Sequence, residues 1–122
     1  MKALTVRQPW ASLIMAGDKD VENRSFATTH RGRLAIHAAA RPDPEGLASH
    51  AHLLDSDYPL AAVLGTVVLV DVVRGHHSEW AIPDCWHWVL ADPEPLADPV
   101  PLDGQQGLWD LDLDHLVPWR RG

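Results

Sequence analysis

The sequence predicts a small α+β domain built on a curled sheet. Three observations carry that expectation. The chain has 122 residues, of which 46% are hydrophobic; that suits one core and one domain, expected to span residues 1–122. Stretches with strand patterning outnumber stretches with helical spacing, and the helical ones are short. The most apolar stretch, Ala62 to Val73, is rich in valine, as a long central strand would be.

Ala3 to Arg7 reads as a short strand. Pro9 suits the first turn of a helix, where its missing N–H costs nothing. Trp10, Leu13 and Ile14 follow at helical spacing, and Gly17 is a good stop. Val21 to Ser25 is expected to be extended. His30-Arg31-Gly32-Arg33 then turns into a clear strand, in which Leu34, Ile36 and Ala38 alternate with Arg33, Ala35 and His37. Asp43-Pro44 supplies an N-cap and a first-turn proline for a second helix. Its buried face is expected to carry Leu47, Ala51 and Leu54.

Asp55 to Pro59 reads as a loop, and within Ala62 to Val73 the glycine Gly65 marks a bulge or a close approach. Gly75 to Pro83 is a connection. Cys85 to Leu90 resembles a strand with Trp86, Trp88 and Leu90 on one face. Pro93, Pro95, Pro99 and Pro101 restrict Asp92 to Pro101 to an edge strand or a loop. Gly107 to Leu113 is a last short strand, and Leu116 to Gly122 carries little patterning.

Composition excludes several classes. No apolar run approaches the roughly 20 residues that span a bilayer, and Arg7 and Gln8 interrupt the apolar start too early for a signal peptide. Cys85 is the only cysteine, so no internal disulfide and no Cys-rich zinc site is expected. A soluble, cytoplasmic chain without membrane partners is the resulting expectation. The formal net charge of −7 argues against a simple polycation. Its distribution is uneven: residues 1–41 carry seven Lys/Arg against three Asp/Glu, or +4, and residues 42–122 carry three against fourteen, or −11. A positive cleft on an acidic body is compatible with that asymmetry; so is an acidic protein whose first third is basic by chance.

Arg7-Gln8-Pro9-Trp10-Ala11-Ser12-Leu13-Ile14 is an unusual string. It is followed by Gly17-Asp18-Lys19-Asp20-Val21-Glu22-Asn23-Arg24-Ser25 and by His30-Arg31-Gly32-Arg33-Leu34-Ala35-Ile36-His37-Ala38. Together with Asp57-Tyr58-Pro59, Val63-Leu64-Gly65-Thr66-Val67 and Gly107-Leu108-Trp109-Asp110-Leu111, these resemble the ASCH family, named for homology to the activating signal cointegrator. The resemblance covers most of the chain. It implies a PUA-like fold, a small mixed β-barrel with short flanking helices. It also implies a nucleic-acid ligand, or a modified base held in a cleft. One bacterial branch of the family hydrolyses the amide of N4-acetylcytidine, and nuclease activity has been suggested for others.

Nucleic-acid binding needs cations for phosphate and aromatic or hydrogen-bonding groups for bases. Lys19, Arg24, Arg31 and Arg33 fall in one short stretch, and the resemblance implies that the Lys19 turn and the Arg31-Gly32-Arg33 turn lie along one cleft. Trp10 or Gln8 would touch a base, and Asn23 could donate to it. RNA or DNA, single-stranded or structured, is the partner this reading implies, with no cofactor. Each candidate has a plainer role. Trp10 lies on the apolar stripe of its helix, Trp86, Trp88 and Trp109 suit core or rim, Arg24 could pair with Glu22 or Asp71, and Lys2 and Arg33 could be solvated.

The hydrolytic branch implies a second reading, an amidohydrolase of N4-acylated cytidine-type nucleosides acting through Lys19 and Glu22. A lysine serves as base or nucleophile only when burial or neighbouring cations lower its pKa. The branch carries a threonine three residues after its lysine, where this chain has Glu22, and it uses a further glutamate for which Glu79 is the nearby candidate. A protein–protein adaptor using the acidic remainder is a third reading. His76-His77 and Cys85-Trp86-His87 do not supply the three or four converging ligands of a zinc site; adjacent histidines on a strand would face opposite ways. His37 is expected to be a surface histidine.

Overall fold

The computed structural model describes residues 1–54 and 58–112. Its elements run β1 (Lys2–Val6), α1 (Trp10–Met15), β2 (Val21–Arg24), β3 (Gly32–Ala38), α2 (Pro44–His50), a 3-10 turn (Ala51–Leu53), β4 (Ala62–Val73), β5 (Trp86–Pro101) and β6 (Leu108–Asp110). The six strands form one sheet in the order β2-β5-β4-β3-β1-β6. β1 and β3 pair in parallel and the other ladders are antiparallel, so the sheet is mixed. It curls into a half-barrel flanked by the two short helices, as expected. Among the described residues no helix is long and apolar enough to cross a membrane.

The central position of β4 follows from its composition: an apolar strand is stable where both neighbours and both faces cover it. Gly65 is required there by close approach. A Cβ at this position would run into the Glu94 carbonyl and come within 2.6 Å of the Met15 side chain. The β4–β5 register also shifts at this point, with Val63 opposite Val100 and Gly65 opposite Pro95.

The proline-rich stretch is an edge strand. The first part of β5, Trp86 to Val89, lies between β2 and β4, but from Ala91 onward β4 is its ladder partner. Proline is tolerated there because one side of the strand needs no donors. Trp88 is fully buried, and Trp86 and Leu90 pack against the same core.

Two expectations need correction. β3 does not have one wet face: Leu34 to Ala38 are all buried. Leu34, Ile36 and Ala38 join the main core, while Ala35 joins a second cluster with Ala3, Val63, Trp109 and Leu111. His37 is therefore 1% exposed, its ring 5.7 Å from Trp109, with Nδ1 against the Thr5 hydroxyl and Nε2 against the Leu102 carbonyl. Its covering residues come from the far end of the chain, which no local pattern displays. The second helix also buries less than its periodicity suggests. Asp43 caps it as expected, accepting from the Glu45 N–H, but Ala51 is exposed and Gly46 is its buried residue. Gly46 lies against Trp10, where a Cβ would come within 2.6 Å of the indole. The last strand ends at Asp110; Asp55 to Asp57, Leu113 and the tail from Leu116 lie outside the described residues.

Candidate functional site

Three segments converge where α1 meets β2. In β2 the period of two sends Glu22 and Arg24 to the same side. The turn after α1 is closed by Asp18 and Lys19 N–H groups donating to the Leu13 carbonyl, and this delivers the Lys19 side chain beneath the sheet edge. Its ammonium donates to the Val21 carbonyl and lies 3.3 Å from Glu22 Oε1. Arg24 closes the other side: Nε and Nη2 are each 3.0 Å from Glu22 Oε2, and Nη2 donates to the Thr5 carbonyl at 2.6 Å. One carboxylate is thus shared by two cations, with side-chain exposures of 4% for Lys19, 11% for Glu22 and 21% for Arg24.

Burial holds the Lys19 ammonium below the ordinary value of 10.5. The Glu22 carboxylate opposes that shift by attraction and hydrogen bonding, and Arg24 adds to it by repulsion.

A cleft opens over this triad. A first compartment of about 600 Å³ has Arg7, Arg24, Glu22, Asn23, Trp10 and Asp43 in its lining. A second, of about 400 Å³, shares Trp10, Glu22, Asn23 and Asp43 with the first and adds Lys19, Glu79, Trp80 and His50. The shared residues make the two compartments one continuous cleft. Arg7 hangs over it from the end of β1, tethered by a 2.9 Å bond to the Pro42 carbonyl. Trp10 donates its indole N–H to Asp43 at 3.0 Å, and its ring meets those of His50 at 4.9 Å and Trp80 at 6.3 Å. That indole bond, first among several, holds the Asp43 carboxyl below its usual 3.8.

Trp80 is brought in by the long connection between β4 and β5. Asn23 holds this connection, donating to the Trp80 carbonyl and accepting from the Ile82 N–H, each at 2.9 Å. His87 anchors its ends, accepting from the His76 N–H and meeting the Ile82 carbonyl. The Trp80 ring then sits 5.7 Å from the Lys19 ammonium, a cation–π distance.

Of the residues singled out from sequence, Trp10, Lys19, Glu22, Asn23 and Arg24 meet at this cleft. Gln8 does not face it. It is fully buried, its amide donating to the Ser12 hydroxyl at 2.7 Å and the Pro59 carbonyl at 2.9 Å, and accepting from the Ser12 N–H. It builds the start of α1. Arg31 and Arg33 line neither compartment. Arg31 pairs with Asp71 at 3.3 Å and Arg33 with Glu94 at 3.5 Å, both at the surface. β3 is separated from β2 in the sheet by β4 and β5, so nearness in sequence becomes distance in space. Asn23 is occupied in holding the connection. Lys19 is 5% exposed and lines the second compartment.

Sequence reasoning missed Arg7, Asp43, Trp80 and His50 as cleft residues. Arg7 was visible as a cation beside Trp10 and Asp43 as a helix cap, but neither pattern announces a ligand. Trp80 lies in a connection with no periodicity. Among the described residues, no three His, Cys, Asp or Glu side chains converge as a metal site. His76 and His77 are not on a strand: they stack on each other with centroids 4.5 Å apart.

Comparison with known proteins gives this geometry its context. Human activating signal cointegrator 1 is 35% identical over 127 residues, covering 89% of this chain and 22% of that protein. The mouse protein of the same name is 34% identical with the same coverage. This chain therefore spans under a quarter of the length of those relatives. In fold it is similar to the crystal structure of an ASCH protein from Zymomonas mobilis, with a TM-score of 0.67 at 16% identity, over 98% of this chain and 93% of that one. A point mutant of the same bacterial protein gives a TM-score of 0.66 at 17% identity, over 98% of this chain and 96% of that one. The ASCH domain family matches residues 4–100. With its mixed, curled sheet and its α1–β2 cleft, the chain belongs to the ASCH domain family.

Proposed function

We propose that the chain is a nucleic-acid-binding module that draws an unpaired base, from RNA or another single strand, into the second compartment, against the Trp10 and Trp80 surfaces that line it. The phosphate lies toward Arg7 and Arg24. One observation carries this reading: one cleft brings two indoles, Trp10 and Trp80, together with two guanidinium groups, Arg7 and Arg24. Indole faces suit any base, and the planar fork of arginine suits phosphate. Family membership supports the same class of ligand. Arg31 and Arg33, which line neither of these two compartments, are left out of the interface.

Fluorescence anisotropy with short labelled RNA and DNA, titrated across salt, tests this. Arg7→Ala weakens binding and lowers the salt slope by about one counterion. Lys19→Met weakens binding with little change of slope, because Lys19 faces the base. Binding that is absent at low salt, or indifferent to Arg7, removes the reading.

A second reading has its own observation. Lys19, held below its ordinary pKa by burial, lines the second compartment together with Glu22 and Glu79, so the glutamate sought from sequence lines the same compartment as the lysine. In this reading the protein is an amidohydrolase: neutral Lys19, with Glu22 beside it, takes a proton from a water as that water attacks the acyl carbon of an N4-acylated cytidine. The C–N bond breaks as N4 takes up the proton, releasing cytidine and the carboxylic acid. Incubation with N4-acetylcytidine should release cytidine; no product at high protein concentration sinks that substrate.

A further inference from the structure

We propose that the binding groove continues past the aromatic pair into a third compartment, so that the site engages three consecutive nucleotides of a single strand. The inference rests on the nucleic-acid reading above and extends it from one base to a short run.

Beyond the second compartment lies a third of about 360 Å³, walled by His50, Glu79 and Trp80 from the second and closed by His52, Leu53 and Ser49. The second and third compartments share His50, Glu79 and Trp80, as the first and second share Trp10 and Asp43. The three therefore form a row, and each alone has the volume of a small-molecule site, roughly 300–1,000 Å³. The divider between the last two is aromatic: the His50 and Trp80 rings lie 5.6 Å apart. Both compartments thus meet an aromatic wall, with the Lys19 ammonium lying over the Trp80 ring.

The divider is also incomplete as a hydrogen-bonding structure. The Trp80 indole N–H is buried and has no partner among the described residues. A buried donor without an acceptor is uncommon and unfavourable. A nucleotide crossing from one compartment to the next brings carbonyl, ring-nitrogen and phosphate acceptors to that wall. Leu53, 43% exposed, gives the far compartment an apolar surface for a base. A duplex, whose bases are stacked inside, cannot place successive bases in successive compartments.

The test is a length series. Oligouridylates and oligothymidylates of about one to five residues are titrated into the protein, with each added base expected to strengthen binding roughly fivefold or more up to the third and little thereafter. A plateau at three residues in either series supports the inference and names the polymer. A plateau at one or two residues overturns it and leaves the single-base reading intact. Absence of binding at every length and low salt overturns both. His52→Glu, on an exposed residue of the third compartment alone, should weaken the trimer at least roughly fivefold more than the monomer. Equal weakening of the two overturns the extension.

Discussion

Glu22→Gln removes the carboxylate that Lys19 and Arg24 share. The separations of 3.3 and 3.0 Å correspond, at an effective dielectric of about 20, to about 5 kcal/mol of attraction each. Desolvation cancels much of this, so the measurable quantity is the cost of leaving two cations buried without their anion, about 3–5 kcal/mol. The lower end applies, because Lys19 has an escape: it can shed its proton. In the folded wild type Lys19 already titrates below the 10.5 of the unfolded chain. Between the two values the unfolded chain binds more protons, so stability rises with pH there; below the folded value the cost of burying the ammonium is carried in full. Without Glu22, which opposes the shift, the folded value falls further and the window opens toward neutral pH. Urea unfolding followed by tryptophan fluorescence should show Glu22→Gln about 3 kcal/mol less stable near neutral pH, with the deficit shrinking toward pH ~10. A deficit below about 1 kcal/mol, or one that does not change with pH, would refute the shared-carboxylate account.

Trp80→Ala should cost about 1–3 kcal/mol of affinity for single-stranded ligand while leaving salt dependence unchanged, since stacking carries no charge; anisotropy at two salt concentrations separates the two effects. Gly46→Val forces α2 away from Trp10, whose indole already fills the space of a Cβ; a loss of about 1–3 kcal/mol by urea unfolding is expected, with weakened ligand binding. Asp43→Ala removes both the cap on α2 and the acceptor for Trp10, and should destabilise by about 1 kcal/mol. Because the folded Asp43 carboxyl titrates below the unfolded value of 3.8, its contribution is present above that pH and lost as pH falls through the lowered value; the difference between wild type and Asp43→Ala should therefore vanish in strong acid.

Much of the fold is legible in the sequence because its signals are local. The valines of β4, the period of β3, the Asp43-Pro44 cap and the prolines of late β5 each act through neighbours a few residues away. The site is legible in part. The short interval from Lys19 to Arg24 lies on one turn and one strand, so its members stay together when the chain folds. Arg31 and Arg33 lie only a few residues further on, yet β3 enters the sheet with two strands between it and β2. Gln8 misleads for a related reason: a polar residue beside a tryptophan looks like a ligand group until its amide is found closing a helix start on Pro59.

By itself the sequence determined the fold class, the family and the Lys19–Glu22–Arg24 core of the cleft, because hydrophobic period and motif spacing act over short separations. Only the tertiary structure decided what surrounds that core. Trp80 reaches Lys19 through an aperiodic connection held by Asn23, and His37 is buried by residues from the far end of the chain. Tertiary structure also decided which cations line the cleft. Arg7 and Arg24 line the cleft, while Arg31 and Arg33 are paired with acids that sequence distance could not identify. Charge pairing and burial depend on which strands become neighbours, and strand order is a property of the folded sheet.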